Sequence, residues 1–320
     1  MTDNDNFSVT QYPGGVTAID SGYHRENLAA CYMLEAASEV AFIEVGTNSS
    51  TPRLMQTLRR RGWAPEDVRY VIVTHVHLDH AGGAGSLMQQ LPNATLLVHP
   101  YGARHMIDPS KLEAGARVVY GDNRFDKIFG SLVPIDEART QIMNDGDRIN
   151  LGERQLSFMD TPGHARHHFC IHDDHTNGWF TGDTFGLSYR EFDTQNGAFI
   201  LPTTTPVQFD PSALKASVRR LADSQPDCMY LTHYGRVDEV QKLAAKMLGG
   251  VSMLAEFGET YKGDDSRNQK IKQSMSEWLL AGLCQHGVRL SEQQSLQLLQ
   301  DDINLNTQGI ECWLDYRDRL

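Results

Sequence analysis

No two cysteines in this sequence form a CxxC pair, and the five present, Cys31, Cys170, Cys228, Cys284 and Cys312, are scattered and odd in number. That excludes a disulfide framework and reads as reduced thiols in a cytoplasmic protein. No apolar run reaches the ~18 residues that a spanning helix needs. The polar, acidic start MTDNDNFSVT does not read as a signal peptide. Basic charge is scarce: 29 Lys and Arg stand against 41 Asp and Glu, a net charge of −12. Such a surface disfavours nucleic acid and anionic membrane as partners, though it leaves room for a locally positive site. Internal repeats and low-complexity tracts are missing. The glycines of AGGAG (81–85) do not form a GxGxxG after a strand with a following acidic residue, which argues against a nucleotide site.

What is present is an ordinary globular composition, 40% hydrophobic and 22% charged, over 320 residues. That length permits a large core, or one core with an appendage. Up to about residue 230 short apolar runs alternate with turns. VAFIEVG (40–46), YVIVT (70–74), ATLLVH (94–99), NGWFTGD (177–183) and CMYLTH (228–233) read as strands, and residues 145–161 as a hairpin. TPRLMQTLRRRG (51–62) reads as a helix with Thr51 as cap, Pro52 in the first turn and Gly62 at the end. GSLMQQL (85–91) reads as a short helix. After residue 236 the texture is helical. EVQKLAAKMLGGVSMLAEF (239–257) has helical spacing with a break or bend expected at Gly249–Gly250. Ile271, Met275, Trp278, Leu279 and Leu283 share one face of a second helix. The expected division is therefore 1–236 and a helical extension, 237–320, whose apolar faces would suit core packing or a homodimer.

Chemistry concentrates in VTHVHLDHAGG (73–83), which places three histidines and an aspartate within six positions directly after a buried strand. His75 and His77 are two apart, so in extended chain both point the same way and can hold one metal together. The chain then turns, and Asp79 and His80 face a second position. Three further candidates end or follow predicted strands: His164 in DTPGH, Asp183 in GWFTGD and His233 in CMYLTH. If these strands belong to one layered sheet, their ends converge on one edge, and seven imidazole and carboxylate groups surround one cavity. Groups of this kind are costly to bury without partners, and they are the donors zinc accepts.

THxHxDH followed at long intervals by TPGH, GD and H resembles the metallo-β-lactamase superfamily over roughly residues 15–235. The resemblance implies a four-layer αββα sandwich, here with a C-terminal helical extension. It implies that His75, His77 and His164 bind a first divalent metal, that Asp79, His80 and His233 bind a second, and that Asp183 bridges both. It implies two divalent ions, with zinc first and iron or manganese as alternatives. Two such ions lower the pKa of a shared water toward neutrality and polarise the substrate, with Asp79 as the catalytic carboxylate that orients or deprotonates that water. The expected function is a cytoplasmic hydrolase of a small-molecule ester, thioester, lactone or phosphoester. Two alternatives remain open: a non-haem iron oxidoreductase or dioxygenase on the same scaffold, and a metal-binding sensor without turnover.

Other residues divide between function and structure. His168 reads either as a support for a metal ligand or as a satisfied strand-edge histidine. His167, His172 and His175 lie in a polar stretch and read as solvent-exposed. In similar lactonases a tyrosine near the metals holds the substrate carbonyl; Tyr189 is the first candidate here and Tyr23 and Tyr234 are alternatives, each also readable as structural. The Pro-rich segment FILPTTTPVQFDPSAL (199–214) reads as a rigid non-helical crossing that walls the active site or covers surface.

Overall fold

In the computed structural model, residues 7–204 and 206–319 are described; the N-terminal residues 1–6 and Thr205, both within stretches read above, lie outside them. The apolar runs of the first half pair into a seven-stranded mixed sheet in sequential order: β1 (Val9–Tyr12), β2 (Val16–Asp20), β3 (Ala30–Glu35), β4 (Val40–Ile43), β5 (Val68–Ile72), β6 (Thr95–Val98) and β7 (Thr140–Ile142). The first four pair antiparallel and the rest parallel. A six-stranded mixed sheet follows, with β8 (Arg148–Leu151), β9 (Arg154–Asp160), β10 (Phe169–Asp173), β11 (Gly178–Phe180), β12 (Cys228–Leu231) and β13 (Gly235–Val237). β11 and β12 are parallel, which requires the long crossover between residues 181 and 227.

Period-two alternation decides how the first sheet is buried. On β3, Cys31 and Met33 join one core, while Tyr32 and Leu34 join the other. The first core packs the sheet against α1 (Thr51–Arg60), α3 (Ala84–Met88) and α4 (Pro100–Ile107) through Leu54, Leu58, Leu87, Ala103 and Met106. The second lies between the sheets, where Tyr32, Leu34, Ile43 and Ile72 meet Phe158, Phe169, Ile171, Phe180 and Tyr230. Each large side chain so buried contributes about 1.5–3 kcal/mol. Thr51 is already helical, and Ser50 holds the capping position without a side-chain cap bond. The reason is a 3-10 turn, Asn48–Ser50, that runs straight into α1 and sends the Ser50 hydroxyl to the Ser21 carbonyl at 2.7 Å. Gly62 follows with φ +83°, as a helix terminator requires. Between β6 and β7, α5 (Ser110–Tyr120) and α6 (Asp122–Ile128) follow α4; the sequence reading left this stretch unassigned.

The chain forms two compact units that interleave in sequence. The first runs to Asp160 and takes in His167–Gly182 and Asp227–Arg236; the second comprises Thr161–Arg166, Asp183–Pro226 and Val237 onward. The sequence reading placed one boundary at 236. The difference arises because the crossover segments and the tail helices share contacts. α7 (Pro211–Asp223) packs on α8 (Val240–Thr260), which packs with α9 (Arg267–His286) and α10 (Glu292–Arg317). α8 runs unbroken through Gly249–Gly250. The α9 stripe is buried as expected at Ile271, Met275, Leu279 and Leu283, with Trp278 half-buried. No helix among the described residues is long and apolar enough to cross a membrane.

Candidate metal centre

β5 delivers the chain to Thr74, and the next residues leave the sheet. His77 keeps extended backbone (φ −63°, ψ 148°) and precedes a single helical turn, α2 (Leu78–Ala81), which carries Asp79 and His80. Two hydrogen bonds fasten this turn, from Val45 N (2.9 Å) and Gly46 N (3.2 Å) to the His80 carbonyl. The glycines after it serve close approach. A Cβ on Gly83 would lie 2.5 Å from the Thr47 carbonyl oxygen, and one on Gly85 1.9 Å from that of Val133.

In the first unit the imidazoles of His75, His80 and His233 are buried, that of His77 is half-buried, and hydrogen bonds orient them. His75 Nδ1 lies 3.0 Å from the Thr74 hydroxyl, and its Nε2 is 2.6 Å from His77 Nδ1. His80 Nδ1 lies 3.1 Å from Glu44 Oε1, and His233 Nδ1 lies 2.7 Å from the Leu28 carbonyl. A carboxylate and a carbonyl only accept, so in both rings Nδ1 carries the proton and Nε2 the lone pair. Those two Nε2 atoms stand 3.6 Å and 3.5 Å from Asp79 Oδ2. In the second unit, His164 Nε2 lies 3.3 Å from Asp183 Oδ2, and its Nδ1 faces the Thr203 carbonyl at 3.5 Å. Donors at 2.0–2.1 Å from a tetrahedral metal are separated by about 3.3–3.4 Å. The 3.3–3.6 Å spacings, the His80 and His233 tautomers and the donor types thus fit a divalent cation, whereas His75 Nε2 and His77 Nδ1, 2.6 Å apart, stand closer than two donors on one ion. Closely grouped ligand atoms include Asp79, His80 and His233, and also Glu44, His75 and His80.

Glu44 was not singled out from the sequence. It is 1% exposed and sits at φ +61°, a left-handed conformation uncommon outside glycine. Besides His80, its carboxylate receives the Thr74 hydroxyl, the Thr74 amide at 3.4 Å and the Thr232 hydroxyl at 3.3 Å. The only signal was an acidic residue ending the apolar run VAFIEVG.

Two readings of the remaining histidines and tyrosines change. His167, expected at the surface, is buried, its Nδ1 3.5 Å from the Val76 amide and its ring 5.4 Å from that of His77. Local polarity in GHARHH misled because the segment turns inward. His168 is fully buried and stacks on His75, with ring centroids 4.8 Å apart. Tyr189 is buried, and its hydroxyl is held by Asp302 at 3.0 and 3.1 Å, a structural partner for a buried phenol. Tyr23 is the tyrosine beside Asp79: burial first, then the Asp79 charge, pushes its hydroxyl far above the ordinary phenol range. Its ring packs with Leu78, Phe129 and Tyr120 in an apolar cluster that α5 and α6 help build.

A family model described as the metallo-beta-lactamase superfamily matches residues 25–233. A metallo-beta-lactamase fold-containing protein of Sulfurisphaera tokodaii is 30% identical over 172 residues, covering 52% of this chain and 61% of that protein. Human acyl-coenzyme A thioesterase MBLAC2 is 29% identical over 184 residues, covering 50% of this chain and 60% of that protein. The matches therefore span about three fifths of these curated relatives. The crystal structure of a metallo-beta-lactamase family protein from Thermus thermophilus aligns over 95% of this chain and 94% of its own, with a TM-score of 0.66 at 18% identity. Two mixed sheets flanked by helices, with the C-terminal helices α8–α10, are the fold the resemblance implied.

Proposed function

Given that the chain belongs to the metallo-beta-lactamase superfamily, we propose that it is a binuclear metal-dependent hydrolase of a small-molecule ester, thioester, lactone or phosphoester. In this reading His75, His77 and His164 hold one cation, Asp79, His80 and His233 hold the other, and Asp183 is shared. The observation that carries it is the Asp79–His80–His233 triangle, with Oδ2 3.6 and 3.5 Å from two Nε2 atoms whose rings are locked from behind. Imidazole and carboxylate donors suit zinc, with iron or manganese as competing ions. When bound, a pair of divalent cations supplies Lewis-acid chemistry, lowering the pKa of water toward neutrality and polarising a carbonyl or phosphoryl oxygen.

The chain's own residues do the rest. Asp79, whose side chain is 23% exposed, orients the attacking water and accepts its proton. In this reading Tyr23, whose burial disfavours ionisation, turns its hydroxyl from Tyr120 to the substrate oxygen on Asp79's side and donates a hydrogen bond to it. The apolar cluster of Tyr23, Leu78, Phe129 and Tyr120 offers an acyl or other apolar group a dry wall. Thioesters are favoured among the four classes because a named acyl-coenzyme A thioesterase aligns with half of this chain.

The test is a hydrolysis panel of p-nitrophenyl esters, thioesters, lactones and phosphotriesters on protein of measured metal content. The expected outcome is zinc near two equivalents and turnover of at least one class. His77→Ala should release at least one ion and most activity, and Asp79→Asn should abolish turnover. Metal content unchanged in His77→Ala, or full metal with no turnover on any class, overturns the reading.

A further inference from the structure

α10 carries a regular apolar stripe: Leu299, Ile303, Ile310 and Leu314 are all buried at spacings of four or seven residues. Asn306 falls in the same stripe and is 2% exposed. A primary amide at a core position is tolerated only where its donors and acceptors are met. Here they are met by one short piece of chain. Asn306 Oδ1 accepts from the Thr204 amide at 2.7 Å, its Nδ2 donates to the Pro202 carbonyl at 3.2 Å, and its own carbonyl accepts the Thr204 hydroxyl at 3.1 Å. These bonds clamp the strap on either side of Thr203. The same strap is seated on α8, where a Cβ on Gly250 would lie 2.8 Å from Pro202 Cδ; glycine is what lets the proline in.

The residue left between the clamps has a specific task. The Thr203 carbonyl faces His164 Nδ1 at 3.5 Å, the long end of hydrogen-bond range, so a shift of a few tenths of an ångström breaks the contact. That contact fixes which nitrogen of His164 is protonated and leaves Nε2, 3.3 Å from Asp183 Oδ2, as the donor toward a cation. We propose that Asn306 is a positioning residue for His164: the C-terminal helix, through the Pro202–Thr204 strap, sets the tautomer and orientation of a metal ligand that lies more than a hundred residues earlier in the chain. One turn before it, Asp302 holds Tyr189 of the segment that follows Asp183, so the same helix face fastens the chain behind both donors of this unit. The inference rests on the reading of His164 as a metal ligand.

The experiment measures zinc affinity on the full chain by competition with a chromogenic chelator, with circular dichroism and Tm recorded in parallel. The variants are Asn306→Ala, Ile303→Ala, Thr204→Val and His164→Ala. Ile303→Ala truncates the same buried face of α10 at a side chain that makes none of the three strap hydrogen bonds, so it reports what loosening the helix alone does. In Asn306→Ala one ion should bind about 10- to 100-fold more weakly, the range for losing an outer partner of a ligand, while the other keeps its affinity. Ile303→Ala should lower Tm and leave both affinities in place. Thr204→Val removes one clamp bond and keeps the shape, so it should weaken the same ion by a smaller factor; it decides the matter if Asn306→Ala does not fold. Equal affinities in Asn306→Ala, or in Thr204→Val where that variant stands alone, and in Ile303→Ala, with His164→Ala still releasing an ion, overturn the positioning role and leave the ligand reading intact. Full metal retention in His164→Ala overturns both.

Discussion

Glu44 shows how one side chain can govern a site it does not line by sequence proximity. Its carboxylate is buried, gathers Thr74 and Thr232 and holds His80 Nδ1 at 3.1 Å, all from a left-handed backbone position. Glu44→Gln keeps the shape but replaces one accepting oxygen with a donor that faces other donors. We expect one metal ion to bind about 10- to 100-fold more weakly, as measured by chelator competition; unchanged affinity would remove Glu44 from the site. Tyr23→Phe makes a second test at this scale. Loss of a donor aimed at developing charge costs on the order of 10²-fold in kcat, and steady-state kinetics on the best substrate should show it in kcat with full metal content retained. The clusters that group Asp79, His80 and His233, and Glu44, His75 and His80, draw all but Glu44 from residues the sequence singled out, because imidazoles and carboxylates at strand ends have few other uses. Glu44 was not legible there, because nothing in VAFIEVG announces that the strand stops at Ile43 and the acid turns inward. His167 was misread for the same reason: a polar neighbourhood in sequence became a buried one in space.

At the scale of elements, legibility follows periodicity. The stripe of α9 is long and regular, and that helix is found. The α4–α6 stretch was not read, since α5 buries no residue fully and offers only a half-buried Leu112, Ala116 and Tyr120 as its stripe. The glycine pair of α8 misled in the other direction. A break was expected, yet the helix continues because Gly250 is wanted for its missing Cβ against Pro202. The start of α9 carries a titratable device. Asp264 accepts from Lys270 and from both the amide and hydroxyl of Ser266, and these bonds hold its carboxyl at about 2. A depressed carboxylate stabilises the fold above its unfolded pKa, and the contribution is lost as pH falls through the folded value. Asp264→Asn should therefore lower Tm slightly at neutral pH, with the gap to the parent closing between about pH 4 and pH 2. The carboxyl is exposed, so the effect is small. A gap that is constant with pH would show that the charge plays no part.

For the whole molecule, the sequence made the order of strands and tail helices visible but not the way the units interleave. His164 and Asp183 belong by contact to the unit that contains α7–α10, whereas His75, His77, Asp79, His80 and His233 belong to the sheet-bearing unit. Contacts between segments so distant in sequence leave no local periodicity to read. The consequence is thermodynamic. If these side chains hold cations, metal binding adds to the stability of the native state alone. A cation at 1,000 times its dissociation constant contributes about 4.1 kcal/mol through mass action. Removing it with a chelator also leaves buried imidazoles and carboxylates facing one another, which is unfavourable in its own right. Chelated protein should unfold several degrees lower in calorimetry, and Tm should climb again as zinc is added back, with a slope that continues beyond stoichiometric filling. His164→Ala provides the decisive comparison. If His164 holds a cation, this variant should lose part of the zinc-dependent gain in Tm while its chelated Tm stays near that of the chelated parent. A zinc response equal to the parent's would remove His164 from the candidate ligands.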